Sequence, residues 1–432
     1  MRITRAPIDV EVKLNYGKGQ VTLNLEGAAS VDWLREKDMP AITDLAEAFR
    51  RAAEEDAIAS PPLKELIGPA DQVTIIISDI TRYWTRQDKV LAVLVDYLGR
   101  EVGLADENLA VLVALGTHRP QTEAELKRLV TPELYERIQV INHDCLADDL
   151  VYVGTTSFGT EVRVHPLAVG RKVILLSGTI HHLMAGFGGG RKSVLPGISA
   201  KSTIIQNHIR SLSPDEPRSN PLIGMGLLED NPIHADMTEA AALVNPIFGV
   251  NIVVNSRSEH CALLCGHWDK AWRESCRLVQ GIMGVPIEKK ADIVIVSCGG
   301  YPKDINLYQA IKSLLNAAEG AAPGGTILFL AECGEGGGAP EFFDWIVPLK
   351  EGRLDQALRE NFSIAGYIFY ASREVSAKYR VHTLSQLPPD TLRHMGLGGR
   401  GTAEELWAQI DFRGKSVYIM PCGGSTVPFL KK

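Results

Sequence analysis

The chain has no segment approaching the roughly 20 consecutive apolar residues that cross a bilayer. Its opening, MRITRAPIDVEVKLNYG, carries no uninterrupted apolar stretch of signal-peptide type, so a cytoplasmic protein without a membrane partner is expected. Lys and Arg are nowhere clustered and the formal net charge is −7, which removes the basic surface that nucleic acid requires. The seven cysteines, Cys145, Cys261, Cys265, Cys276, Cys298, Cys333 and Cys422, are odd in number and scattered. That excludes a disulfide framework and leaves reduced thiols.

What remains is the balance of a globular α/β enzyme: 45% hydrophobic residues, 22% charged and 40 glycines. A chain of 432 residues exceeds one ordinary core, so two domains are expected. Residues 8–25 alternate apolar and polar around Tyr16-Gly17, the pattern of a β-hairpin, and residues 41–57 after Pro40 read as helical. The runs VTIIISD (73–79), LAVLVALG (109–116) and VILLSG (173–178) are uniformly apolar, as in parallel strands covered by helices on both faces. A second series opens with ADIVIVSCGG, the helical NLYQAIKSLLNAAEG and GGTILFLAECGEGGG, a βαβ unit. The expected fold is therefore two α/β domains with mostly parallel sheets and an N-terminal β-hairpin, divided as residues 1–275 and 285–432, with the active site between the domains.

Ligands of open α/β sheets bind beyond the carboxyl ends of the strands, so the residues after each apolar run matter most. They are Asp79 and Arg82, then His118, then His181 and His182, and then Tyr308, Gln309 and Lys312 on the helix after Cys298-Gly-Gly-Tyr301. Acid–base and anion-binding groups thus arrive from four strands, including histidines that exchange protons near neutrality. Singly, each has a plainer reading; Asp79, for example, also suits the cap of a turn.

The densest segment runs from His182 through Gly188-Gly189-Gly190-Arg191-Lys192-Ser193 to Gln206-Asn207-His208. Three glycines ahead of two cations offer a backbone that can close around a phosphate-bearing ligand, which makes Gly189, Gly190 and Arg191 cofactor-binding candidates. The segment is not a nucleotide-binding P-loop, because Arg191 separates Gly190 from Lys192. Gly396 to Gly401 spells GxGxxG, yet no apolar strand precedes it. His260, Cys261, Cys265 and His267 lie close in sequence, but their alternation reads as a hairpin with structural thiols.

The segments SDITR, ALGTHRP, HHLMAGFGGGRKSVLPGISAKSTIIQNH and GGYPKDINLYQAIK resemble, in order and spacing, the signature segments of the lactate racemase family. The similarity runs from about residue 70 to 330. It implies a racemase or epimerase of 2-hydroxyacids that uses nickel held by a pyridinium-3,5-bisthiocarboxylic acid mononucleotide, loaded by cofactor-synthesis proteins. By the same resemblance Lys192 falls at the point of covalent attachment and His208 at the nickel ligand. His118 and His182 fall on the two acid–bases, while Asp79, Arg82, Gln309 and Lys312 match other active-site positions. Adjacent His181 and His182 are not separated by chemistry; the family spacing to Lys192 selects His182.

The chemistry agrees. Deprotonating a hydroxyacid at its α-carbon builds a dianion, whereas moving a hydride out and back passes through a planar 2-ketoacid. That route needs a base for the hydroxyl in each orientation, a role for side chains with a pKa of about 6.5. It also needs cations for the carboxylate, which Arg82 as a fork and Lys312 as a point charge can supply. Two features depart from the family. Tyr83-Trp84 follow Arg82, either shaping the pocket or packing on a helix, and residues 361–380 are aromatic but hold no tryptophan where the family places one. The competing readings are a nicotinamide-dependent 2-hydroxyacid dehydrogenase and a non-catalytic protein that binds an anionic metabolite or the cofactor.

Overall fold

A computed structural model describes residues 8–431 and divides the chain into two compact units. One comprises residues 38–211 and 221–280; the other comprises residues 8–37, 212–220 and 281–431. The last crossing between them falls at Gln280–Gly281. The contiguous division into 1–275 and 285–432 does not describe the rest. Residues up to Lys37 belong with the C-terminal part, because Ser30–Trp33 pairs in parallel with Ser416–Met420.

In the first unit a six-stranded sheet runs in the spatial order His260–Gly266, Phe248–Val254, Lys172–Gly178, Val73–Ser78, Leu109–Ala114, Gln139–Asn142. All neighbours are parallel except the outermost His260–Gly266. Ile75, Ile77, Val111, Val113, Ile174 and Leu176 are buried on one face, in a core shared with Phe49, Val90 and Leu94. Ile76, Leu112 and Leu175, pointing the other way, are buried too. Burial on both faces explains why these strands show no alternation. Each such side chain contributes roughly 1.5–3 kcal/mol, which fixes the strand ends from which the functional loops emerge. The first helix is Leu45–Glu54, shorter than the 41–57 expected, because the Asp44 side chain accepts from the Glu47 amide and starts the helix there. Chain order reverses direction at the Val73–Ser78 and Lys172–Gly178 pair, a topological switch point of the kind where open α/β sheets bind ligands.

The second unit carries another six-stranded parallel sheet in the order Gly399–Arg400, Arg380–Leu384, Ala321–Leu330, Ala291–Ser297, Ser416–Met420, Ser30–Trp33. The expected hairpin is Ile8–Tyr16 paired antiparallel with Gly19–Ala28. Its inward residues Val12, Leu14, Leu23 and Leu25 pack on Ile293, Ile295, Leu328, Leu330 and Ile419. The GxGxxG segment is a turn followed by a two-residue strand and the helix Ala403–Trp407, whose cap Thr402 accepts from the Glu405 amide.

Candidate active site

At the switch point Asp79 ends the central strand and starts the 3-10 turn Ile80–Thr85. One carboxylate oxygen accepts from the Thr81 amide at 3.1 Å and the Thr81 hydroxyl at 2.5 Å; the other meets His118 Nδ1 in a short contact. Asp79 therefore caps the turn, as one of its sequence readings expects, and also contacts His118. Asp79 is 3% exposed, while the His118 side chain is 40% exposed. Burial alone would raise the Asp79 pKa, but the His118 hydrogen bond and charge, with Arg82 nearby, hold the carboxyl below its ordinary value. In the neutral ring the single proton lies on Nδ1 toward Asp79, which leaves a lone pair at Nε2.

His182 sits in a two-residue bridge in which it pairs with Gly186. Its Nδ1 accepts from the Met184 and Ala185 amides, each at 3.2 Å, and its Nε2 lies 3.2 Å from Lys192 Nζ. Its neighbour His181 is buried, hydrogen-bonded to Gln280 at 2.8 Å, with its ring tilted against Phe187.

His208 ends the helix Lys201–His208 and is 2% exposed. Its Nδ1 donates to the Ile204 carbonyl at 3.0 Å, which fixes the tautomer and leaves the Nε2 lone pair available for a ligand. Burial pushes its pKa down to about 3, so the imidazole is neutral. A neutral, oriented imidazole is what a soft divalent metal takes. Among the described residues no group of three or more His, Cys, Asp or Glu could hold an ion, so further ligands would have to come from a bound group. Asp236 steadies this helix end, accepting from Asn207, Arg210, Thr156 and Thr160.

Arg191 corrects the sequence expectation. It is fully buried, donating to His234 Nδ1 at 3.0 Å, to Phe187 O at 3.0 Å and to Ala185 O at 2.6 Å. Its guanidinium lies 3.8 Å from the Trp272 ring centre, and burial pushes its pKa down to about 9. It is an internal brace for the His182 turn. The glycines are likewise demanded by packing. A Cβ on Gly190 would lie 2.5 Å from Trp272 and one on Gly189 2.7 Å from the Gly178 carbonyl, both at positive φ. The Gly190 amide is bound to Ser177 Oγ at 2.9 Å.

The Arg82 guanidinium donates to Thr81 Oγ1 at 3.0 Å. Tyr83 and Trp84 pack against the sheet core, with Tyr83 flanked by Arg86 and Arg128, which resolves them as packing residues. In the second unit Tyr308, Gln309 and Lys312 share one face of the helix Leu307–Gly320, with Lys312 Nζ 2.6 Å from Gln309 Oε1 and 5.7 Å from the Tyr308 ring centre. Trp345, outside the aromatic stretch 361–380, packs against Gly366 within it. The suspected His260 to His267 cluster is the edge strand, and His260 is hydrogen-bonded to the Thr85 and Arg86 carbonyls.

Sequence reasoning missed Gln121, which is 6% exposed, accepts from the Ile80 amide and donates to the Arg119 carbonyl, tying the Asp79 and His118 loops together. It also missed Trp272 and His234. Gly116 N donates to Gly197 O, and Gly197 N to Lys192 O, so the His118 loop is seated against the Lys192 turn.

Residues 16–219 match the model of the lactate racemase N-terminal domain, and residues 287–363 that of the C-terminal domain. The chain is 34% identical over 343 residues to the lactate racemase of Thermoanaerobacterium thermosaccharolyticum, covering 79% of this chain and 78% of that protein. It is 32% identical over 308 residues to the lactate racemase of Lactiplantibacillus plantarum, 70% of each. The structure of the T. thermosaccharolyticum apoprotein superposes with a TM-score of 0.84 at 26% identity, covering 98% of this chain and 100% of that one. A Thermotoga maritima protein, 19% identical with a TM-score of 0.64 over 92% of this chain, shares the fold. On the identity and coverage of those two relatives, this chain belongs to the lactate racemase family of isomerases.

Proposed function

We propose that the chain inverts the α-carbon of a 2-hydroxyacid, lactate or a close relative, with a nickel pincer nucleotide tethered to Lys192. The observation that supports the reading is the different state in which each of three histidines is held. His118 is oriented by a buried carboxylate, His182 touches a lysine, and His208 is enclosed, neutral and oriented. The residues present fit the group: His208 offers one imidazole lone pair, and Lys192 offers an amine on a turn held by backbone bonds. When bound, the group supplies a carbon able to accept the α-hydrogen with its electron pair and to return it.

The chain's own residues handle the protons and the carboxylate. His118 Nε2 takes the hydroxyl proton of one antipode as Asp79 offsets the charge that develops on the ring. His182, with its ring proton on Nε2, donates to the oxygen of the other antipode. Arg82 binds the carboxylate and keeps the α-carbon in place while the planar ketoacid changes face. Loading depends on cofactor-synthesis proteins. The test is incubation of the loaded protein with single enantiomers of lactate and of larger 2-hydroxyacids bearing deuterium at C2, followed by chiral chromatography and mass spectrometry. Inversion with the label retained supports the reading. Inversion with the label washed into solvent contradicts the hydride route, and oxidation without inversion favours the dehydrogenase.

A further inference from the structure

Resting on that reading, we propose that His182 has a second task, to present the Lys192 amine as the nucleophile when the cofactor is joined to the chain. The argument starts from ring protons. Two backbone amides donate to His182 Nδ1, so that nitrogen holds a lone pair and the proton of the neutral ring sits on Nε2. Nε2–H then points at Lys192 Nζ, 3.2 Å away. An ammonium has three hydrogens and no lone pair and cannot accept from it, whereas a neutral amine can. The contact therefore selects the uncharged, nucleophilic lysine and aims its lone pair.

The backbone holds the pair in place. Lys192 N donates to Gly189 O at 3.2 Å, Lys192 O accepts from Gly197 N at 3.0 Å, and Gly190 N is bound to Ser177. The fully buried Arg191 anchors the carbonyls of Ala185 and Phe187, and so the turn that follows His182. Nucleophile and partner are thus set before any ligand arrives, which lowers the entropic cost of the reaction.

The step balances without a co-reactant. The Nζ lone pair attacks the acyl carbon of one thio-acid arm, and the C=O electron pair moves onto oxygen. That oxygen leaves as water with one hydrogen from Nζ and one from the thiol, giving an N–C bond and a C=S bond. The sulfur stays available for metal. Once the nitrogen lone pair is delocalised into the thioamide it no longer accepts from Nε2, and the Nε2–H is released to donate to the substrate oxygen. The two tasks are separated in time by the tether itself.

Tethering is measured without turnover. Wild type, His118→Ala and His182→Ala are co-produced with the cofactor-synthesis enzymes, and the covalent mass increment is read after denaturation, with melting curves to check folding. The expected result is full tethering in wild type and His118→Ala and at least a tenfold slower tethering in His182→Ala. Equal tethering in all three overturns the proposal, and no tethering in wild type sinks the reading beneath it. Independently of the cofactor, acetylation of the unloaded protein by an N-hydroxysuccinimide ester at neutral pH is followed by peptide mass spectrometry. Lys192 labelling relative to Lys201 should fall several-fold in His182→Ala; an unchanged ratio also overturns the proposal.

Discussion

Replacing Asp79 by Asn tests the acid–base assignment most sharply, because it keeps the shape and removes the charge. In the wild type one Asp79 oxygen takes both Thr81 donors and the other takes His118 Nδ1–H. An asparagine has one oxygen and one NH2. Thr81 offers two donors and claims the oxygen, which turns the NH2 toward His118. The ring must then hold its lone pair at Nδ1 and its proton at Nε2, the wrong tautomer for a base facing substrate. Losing a positioned general base costs roughly 10²–10⁴-fold in kcat. Since enantiomers are equal in free energy, kcat/KM must fall by the same factor from either antipode. Initial rates from each pure antipode by chiral chromatography measure this, with intact mass confirming that the tether and the loading are unchanged. A variant within threefold of wild type, fully loaded, would refute the assignment of His118 as a base oriented by Asp79.

Other outcomes follow from the same geometry. Arg191→Met should destabilise the fold by on the order of 3–5 kcal/mol in chemical denaturation, since it strands the Ala185 and Phe187 carbonyls and His234; an unchanged midpoint with lost cofactor affinity would restore Arg191 as a ligand. Gly190→Ala places a Cβ 2.5 Å from Trp272 at positive φ and should cost roughly 2–4 kcal/mol, read as a lowered melting temperature. His143, His208 and His234 are buried with pKa values pushed down to about 4, 3 and 3, chiefly by burial. The unfolded chain therefore binds protons that the folded chain refuses. Their contribution is intact above about pH 6.5 and is lost as pH falls toward 4 and 3, by roughly 1.4 kcal/mol per pH unit for each group. Urea titrations of the unloaded protein at pH 7, 6 and 5 should show that decline, and a flat profile would contradict it. Lys312→Ala should lower kcat/KM for lactate with the tether and nickel intact, and equal efficiency would remove it from carboxylate binding.

Much of the fold was legible because its parallel strands are buried on both faces, and VTIIIS, LAVLVA and KVILLSG declare that burial as unbroken apolar runs. Ser30–Trp33 was not: four residues carry no period, and their partner Ser416–Met420 lies almost 400 residues away in sequence. Asp79, His118 and His182 could be picked out from the strand ends and Lys192 from the glycine-rich segment, yet their pairings could not, since sequence gives an edge and not a distance. Arg191 shows the opposite failure. Beside three glycines it reads as an anion ligand, but burial and the face of Trp272 turn it inward. Tyr83 and Trp84 follow the same lesson, their apolar area being used by the sheet core.

The central claim, that Lys192 carries the nickel-binding cofactor, is tested most directly by intact mass and nickel content. The protein is co-produced with the cofactor-synthesis enzymes, as wild type and as Lys192→Ala. The account predicts a mass increment of a mononucleotide's size and nickel in equimolar amount in the wild type, with the covalent increment absent from the variant. A wild-type protein that gains neither, under conditions that load another member of the family, would contradict it.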